Sequence, residues 1–585
     1  MVVSGLLLPV QSILYLELEV RLGAAFQCPF RRPISLIAKT LFFAGLSILA
    51  VACGSPEPEQ GLPPTPTPVP LVSSATIALP TTTSPSTIPT PDPAARRGGV
   101  LNIAARTVVD DLDVHREFSP TLAAFGPGIV YSRLLRFSTV PDVQTPSLAV
   151  ECDLCSNWTW ESPTTLRVTL REDIRWQVIA PVNGRLLTAG DVVASFERQR
   201  TPGWPNAALL RNVESMAADG DAIVFDLRSP DADFLLALAD GHSKVLPVEL
   251  TSRDDLGDGP FIGSGPWILD SAESNTRYAF SANQNYFERG FPYLERLNIF
   301  VLTDEATRRA AFLTKTLDVD EVKPDEWVAY KERHPEAEFA LYSPPGAGIE
   351  LALNVDSPTF QDVDVRRALF MALDPWLLNQ EVWSGLATVA GGLPAIEPNW
   401  LLSETELRQH LADPAQARQL LNGATPAVEL LVADFGDNYL RYGEGVRDQL
   451  QAVGFQVEMT PLNPTLYNTQ VWRDGLFQAY LGPTPPVNGP NGYLFGLVRT
   501  DGKWSKTRFS EVTINDAIDS QSSELDVVKR QGIVKGISQR LLAEGVRFMP
   551  AAQVQGWSWW PHVQNLHVNF ANYEYYFWSQ VWIEE

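Results

Sequence analysis

Hydrophobic and polar positions along this chain follow two periods, and the switches between them mark out its elements. Residues 164–170 (TTLRVTL) put Leu166, Val168 and Leu170 on one face with polar residues between, the period-two pattern of a half-buried strand. Residues 221–227 (DAIVFDL) repeat that pattern, 278–281 belong to a further strand, and Gly98-Gly99 turns into another at Val100-Leu101-Asn102-Ile103. The period then changes. Thr188 is placed to N-cap a helix running through Asp191, Val192 and Phe196, and Asp304 opens a second through Leu313. Val365, Ala368, Leu369 and Ala372 recur at helical spacing within 364–373. Ser403 and Glu406 form a capping box, and a helix runs from Asp413-Pro414 to Asn422-Gly423. A strand at 427–433, a helix at 439–453 with Val446, Leu450 and Val453 on one face, and a strand at 455–461 read as a β-α-β unit. Such a unit implies a parallel pair joined by a right-handed crossover. Mixed strands and helices in this order predict an α/β or α+β body of more than one lobe.

The first 98 residues carry no such pattern. Arg31, Arg32 and Lys39 precede the uncharged run Leu41 to Val51, which is followed by Ala52 and Cys53. That is the order of an export signal, and the apolar run is too short to span a bilayer. The residues ahead of Arg31 are long for such a leader, and a start codon assigned too far upstream would account for them. Between 54 and 98, 12 of 45 residues are Pro and 8 are Thr. This stretch has too little apolar surface to offset its ordering entropy and reads as an extended, semi-rigid tether.

Composition narrows the function. The 585 residues carry 45 Lys and Arg against 69 Asp and Glu, a net charge of −24. Removing residues 1–52 takes away four basic and two acidic side chains, so the exported product carries −26. An acid excess of this size repels phosphate and argues against nucleic-acid binding. A hydrophobic content of 45% supports a sizeable core, and four cysteines exclude a disulfide-dense scaffold.

Catalytic motifs fail one by one. There is no HExxH, and Gly263-Ser264-Gly265 lacks the spacing of a nucleophile elbow. Trp504 follows Gly502-Lys503 where a phosphate loop needs Ser or Thr, and Gly443-Glu444-Gly445 lacks the third Gly of a dinucleotide fingerprint. His562 and His567 have no further ligands nearby in sequence, so no metal or other cofactor is assigned. Cys152-Asp153-Leu154-Cys155 admits a redox motif, half a zinc site or a short-loop disulfide; the oxidising compartment implied by export favours the disulfide. Carboxylates are plentiful enough for a glycan-acting hydrolase, but no acid–base pair can be picked from them by sequence. Of the 16 Trp, those between Val554 and Trp582 read first as core.

Several segments together resemble one family. Leu49-Ala50-Val51-Ala52-Cys53 resembles the lipobox of bacterial lipoproteins, with Ala50 where Leu is usual. Gly98-Gly99-Val100-Leu101 with Asp111-Leu112-Asp113, Trp158 through Arg171 to Trp176, and Gly184 with Leu187-Thr188-Ala189-Gly190-Asp191-Val192 follow in order. So do Gly263-Ser264-Gly265-Pro266-Trp267, Asn285-Tyr286-Phe287, Leu353-Asn354, Val365-Arg366-Arg367-Ala368-Leu369 and Asp413-Pro414-Ala415. Over about 98–585 the chain is similar to the extracytoplasmic solute-binding proteins of ABC importers, family 5, the peptide- and nickel-binding group. Gly190 stands where that family usually has Glu.

The resemblance implies an α/β, two-lobed, class II periplasmic-binding-protein-like clamshell with an additional small domain. It implies a signal peptide with lipobox at 1–53, a linker at 54–98, a first lobe from 99–128, 262–345 and 546–585, an extra domain at 129–261 and a second lobe at 346–545. It implies a monomeric lipoprotein anchored through Cys53 in the periplasm or on the outer face of the cell membrane. Such a protein hands a peptide or other small solute to a permease served by separate ATPase subunits, and is no enzyme. Peptide-binding members carry an Asp for the ligand's amino group on a second-lobe loop; the corresponding residues 478–492 contain no acid. A neutral, aromatic or sugar-like solute, or an N-blocked peptide, fits that departure better. Tyr480, Asn488, Tyr493, Trp383 and Asp113 are the expected cleft-lining residues, with strand core as the competing role for Tyr480 and packed anchor for Trp383; Asn354 is expected to support the hinge. A glycan-acting hydrolase and a transport-independent solute sensor are the alternative functions.

Overall fold

A computed structural model describes residues 91–139, 147–273, 275–323, 326–342, 348–393, 397–484, 489–552, 554–568 and 573–584. The leader, Cys53, the tether up to residue 90, and Asn488 lie outside the described residues.

The strands fall into two groups. In the first, a four-stranded sheet has the order Val100–Ala105, Arg296–Val301, Arg277–Ala282, Trp267–Glu273. Its first pair is parallel, setting Leu101 opposite Leu297 and Ile103 opposite Ile299. A second, antiparallel sheet runs Cys155–Ser162, Thr165–Leu170, Ala222–Leu227, Val213–Asp219. The alternation read at 164–170 points Leu166 and Val168 inward, opposite Trp160 and Trp158, aromatic cross-strand pairs that stabilise an antiparallel ladder. Both sheets share one hydrophobic core, which also takes in Phe577, Trp578 and Val581 from the C-terminal tail. The segment expected as an extra domain is therefore welded to its neighbour by common apolar burial.

The second group is a five-stranded sheet in the order Gln456–Leu462, Ala427–Ala433, Ala479–Gly482, Gly348–Leu353, Arg547–Ala552. The β-α-β reading corresponds to a parallel pair, Val428 beside Val457 and Leu430 beside Met459, spanned by the helix Asp437–Val453. Leu430 and Val432 enter one apolar cluster while Leu431 and Ala433 enter another. The sheet is thus covered on both faces, which is why its strands read as apolar runs rather than strict alternation.

A three-stranded sheet joins the groups: Val319–Val322, Gln555–Trp559, Glu338–Tyr342. The chain leaves it after Tyr342 to enter Gly348–Leu353, and returns from Arg547–Ala552 to Gln555. Register sets Tyr342 opposite Gln555 and Gly348 opposite Ala552, so the strand ends on either side of the two connections are paired. This corrects the boundary expected between 545 and 546. The strand Arg547–Ala552 is hydrogen-bonded into the five-stranded sheet, and the second crossing follows it.

Helix starts follow the caps. Thr188 and Asp191 make a full capping box for Ala189–Gln199, Asp304 caps Glu305–Leu313, and Asn422 ends Pro414–Leu421 in the left-handed region. The helix expected from Asp364 begins at Val363, because Asp362 accepts from the Asp364 N–H at 2.9 Å.

Candidate functional site

A cavity of about 390 Å³ is lined by Gly348, Ile349, Ala551 and Val554, which lie next to the two connections between the groups. Its walls come from the two groups of elements. On one side Arg106 follows the first strand, and its guanidinium pairs with Glu321. Lys323 pairs with Glu305 at 2.9 Å on the same wall. Arg308 is held by the carbonyls of Leu302 and Thr303 at 2.6 and 2.9 Å. Burial pushes the Glu321 carboxyl up to about 7, against the opposing pull of Arg106 and Arg308. This wall carries three cationic and two acidic side chains, a surplus of one positive charge.

The facing wall is aromatic and acidic. Trp383 ends the helix Pro375–Trp383 and packs on Tyr442 with ring centroids 5.2 Å apart. Phe435 and Tyr439 flank the turn from the strand Ala427–Ala433 into the helix Asp437–Val453. Gly436 takes a φ of 123°, a value that favours glycine. It leaves the helix without a side-chain cap, so the positive end of the helix dipole lies at the cavity wall, beside the exposed Asp437 carboxylate.

Trp383 is the sequence-expected residue that lines this cavity. Tyr480 and Tyr493 come together elsewhere, inside the second group, as donors to Glu350. Tyr493 reaches Oε1 at 2.6 Å, Tyr480 donates to Oε2, and Arg547 closes the cluster at 3.2 Å. Burial, and then the Glu350 charge, push both phenols well above their ordinary value, so both stay protonated donors. The two tyrosines are fully buried there, which corrects the expectation that they line the cleft. Asp113 is corrected likewise: it is buried and holds Arg198 in a two-pronged pair at 2.9 and 2.5 Å. Burial works to raise that carboxyl, but the Arg198 bonds hold it below the usual range. Asn354 donates to the Phe477 carbonyl at 3.2 Å, a brace between neighbouring segments. Cys152 and Cys155 are joined as a disulfide with Cα atoms 4.9 Å apart.

Sequence reasoning did not find Arg106, Glu321, Lys323 or the 435–439 turn. A signal for the turn was present, since ligands in α/β sheets collect beyond the carboxyl ends of parallel strands. The strand of the β-α-β unit ends at Ala433, just before it. The turn also supplies an acid, Asp437, to a cleft whose expected loop has none. Among the described residues no cluster of three His, Cys, Asp or Glu is placed to hold a metal, and no helix is long and apolar enough to cross a membrane.

Comparison with known proteins agrees with this geometry. The profile of the family described as "Bacterial extracellular solute-binding proteins, family 5 Middle" matches residues 149–506. The "Probable di/tripeptide-binding protein 5" of Pseudomonas aeruginosa is 27% identical over 365 residues, 57% of this chain and 65% of that protein. "Heme-binding protein A" of Haemophilus influenzae is 27% identical over 334 residues, 52% of this chain and 59% of that protein. The chain therefore spans somewhat less than two thirds of the length of these relatives. The ABC transporter substrate-binding protein CtaP of Listeria monocytogenes superposes with a TM-score of 0.71 at 16% identity, over 84% of this chain and 100% of that one. HbpA2 of Haemophilus parasuis gives a TM-score of 0.71 at 20% identity, over 83% of this chain and 100% of that one.

Proposed function

Since the chain belongs to the family 5 extracellular solute-binding proteins and has their two-lobed class II clamshell with an additional small domain, we propose that it captures a peptide or other small solute between its lobes and delivers it to the permease of an ABC importer. The body works outside the cytoplasm as a monomer, held to the membrane by acyl chains on Cys53 with the stretch after it as spacer. The end of the expected linker is bonded to the body, Asp92 and Gly98 donating to Tyr293 at 2.7 and 2.9 Å. The domain limits are those expected from sequence, except that the second lobe extends to Ala552. The solute is returned unchanged, and ATP is hydrolysed by other subunits.

The observation that carries this reading is the cavity beside the strand ends Gly348 and Ala551, with one wall from each lobe. A solute bridging both walls binds the closed state better than the open one and shifts the population toward closure. The walls carry opposite surplus charge, and the acidic one also carries aromatic surface, which suits a small amphoteric solute with an apolar portion. The named relatives bind di- or tripeptides and heme, and the first of these fits that chemistry. Trp383 is the proposed apolar contact, and Asn488 a proposed polar one.

Native mass spectrometry of the purified chain, with thermal shift across free and N-acetylated tripeptides, saccharides and amines, tests the reading. A co-purified solute recovered intact and a ligand-dependent rise in melting temperature are expected. No shift with any class overturns the uptake function, and a solute recovered hydrolysed overturns the absence of catalysis. For the anchor, Cys53→Ala is expected to abolish fatty-acid labelling.

A further inference from the structure

The two lobes also meet away from the crossings, at a place that lines no part of the cavity. Asp231, Ala232 and Asp233 lead into the short helix Phe234–Ala239 of the extra domain. They reach three segments of the second lobe: Gly489–Tyr493, Val512–Ser523 and Val527–Ala543. Asp233 pairs through Oδ1 with Arg530 at 2.6 Å and accepts from the Asn491 backbone through Oδ2 at 2.7 Å. Asp231 accepts from the Asn491 side chain at 2.8 Å, and the Ala232 N–H donates to the Ser522 carbonyl at 2.7 Å. Gln521 ties two of these groups together, donating to Asn491 Oδ1 at 2.7 Å and accepting from Arg530 Nε at 3.0 Å. The approach is close: a Cβ on Gly489 would stand 2.7 Å from Asp233 Oδ2.

The cluster is buried, with Arg530 at 5% and Gln521 at 0% exposure. Its own side-chain contacts are polar, while Leu525 of the second lobe packs against the apolar core that welds the extra domain to the first lobe. This contrast matters. An apolar interface has no alternative partner in water and stays shut, whereas a desolvated ion pair and its hydrogen bonds exchange directly for hydration when the surfaces part. A polar contact held by an ion pair and hydrogen bonds, between bodies joined by a two-strand crossing, is the chemistry of a contact that opens.

We propose that Asp231, Asp233, Asn491 and Arg530 form a latch between the extra domain and the second lobe. The latch holds the clamshell closed and so sets how long a solute is retained, with Asp233 and Arg530 as positioning residues that do not touch the solute. The inference rests on the clamshell reading above, but its test needs no solute. In the full-length chain without added ligand, Asp233→Ala and Arg530→Gln are compared with wild type by small-angle X-ray scattering and hydrogen–deuterium exchange. The tether is the same in all three and cancels from the comparison. Losing one partner of a buried charge pair is expected to speed exchange at Ala232 and Asn491 by more than about thirtyfold. The radius of gyration is expected to rise in both variants while the strand Thr165–Leu170 keeps its protection. If Asp233→Ala lowers protection in that strand as well, the isosteric Asp233→Asn carries the comparison in its place. An unchanged radius of gyration in the folded variants, whatever the local exchange does, overturns the latch and leaves the cluster a local brace.

Discussion

Glu350 is a buried carboxylate that two tyrosines and an arginine share, and removing it alone leaves Arg547 charged and unmatched in the interior. Breaking one side of such a pair costs about 3–5 kcal/mol. Glu350→Ala is therefore expected to lose that much unfolding free energy in urea titration, while Tyr493→Phe, which deletes a single neutral donor, loses about 1 kcal/mol. Equal losses would show that Glu350 is not the hub. His115 offers a second residue-level test. It is fully buried, and burial pushes its imidazole down to about 4, with the Lys244 carbonyl 2.9 Å from Nε2 pulling the other way. The unfolded chain takes up that proton near 6.5 and the folded chain near 4. Stability is thus full above pH 6.5 and falls as pH drops from there toward about 4. The difference curve between wild type and His115→Gln is expected to span roughly 3 kcal/mol over that window; a flat curve refutes the assignment. None of these partners was legible from sequence. Glu350 lies 130 residues from Tyr480 and 143 from Tyr493, and nothing local to a tyrosine says which distant carboxylate it meets.

At the scale of elements, local chemistry decided more. The capping box at Thr188 and Asp191, the Asp304 cap and the Asn422 exit all follow from residue type and short spacing, so they were readable before any tertiary contact was known. The two box residues should nevertheless differ in worth. Thr188 satisfies one helix-end donor, and Thr188→Ala is expected to cost about 1 kcal/mol. Asp191 also accepts from the Val248 N–H at 3.0 Å and pairs with Arg185 at 2.5 Å. Asp191→Ala therefore also leaves the Val248 N–H unmet and removes one of the two carboxylates on Arg185, and is expected to lower the melting temperature by at least twice as much; equal shifts would mean that the distant partners contribute nothing. The central sheet was less legible because burial on both faces erases alternation. Residues 478–492 read as one loop, yet Ala479–Gly482 is an interior strand between Ala427–Ala433 and Gly348–Leu353. That strand buries Tyr480 where the loop reading had displayed it.

At the scale of the whole molecule, the cleft exists because strands from distant parts of the chain lie side by side. Gly348–Leu353 and Arg547–Ala552 are sheet neighbours, so the lobes are joined by two crossings and the cavity lining draws on both strands. Family resemblance conveyed this arrangement, while the charges on each wall depend on side chains that only the assembled lobes bring together. That assembly alters one expectation about the solute. The acid-free stretch 478–492 argued against a free amino group, but Asp437 reaches the same cleft from the turn after Ala433. Its carboxylate is exposed on the wall facing Arg106 and Lys323. On the proposed reading, a peptide's ammonium lies toward Asp437 and its carboxylate toward the cationic wall. A charge-assisted hydrogen bond contributes about 1.5–3 kcal/mol, or roughly tenfold or more in affinity. Asp437→Asn is accordingly expected to weaken binding of a free tripeptide at least about tenfold in calorimetric titration and to leave its N-acetylated form unchanged. As a surface substitution it should move stability by no more than about 0.5 kcal/mol, so lost affinity cannot be laid to unfolding. Equal weakening of both peptides would place the amino group elsewhere and return the cleft to solutes without one.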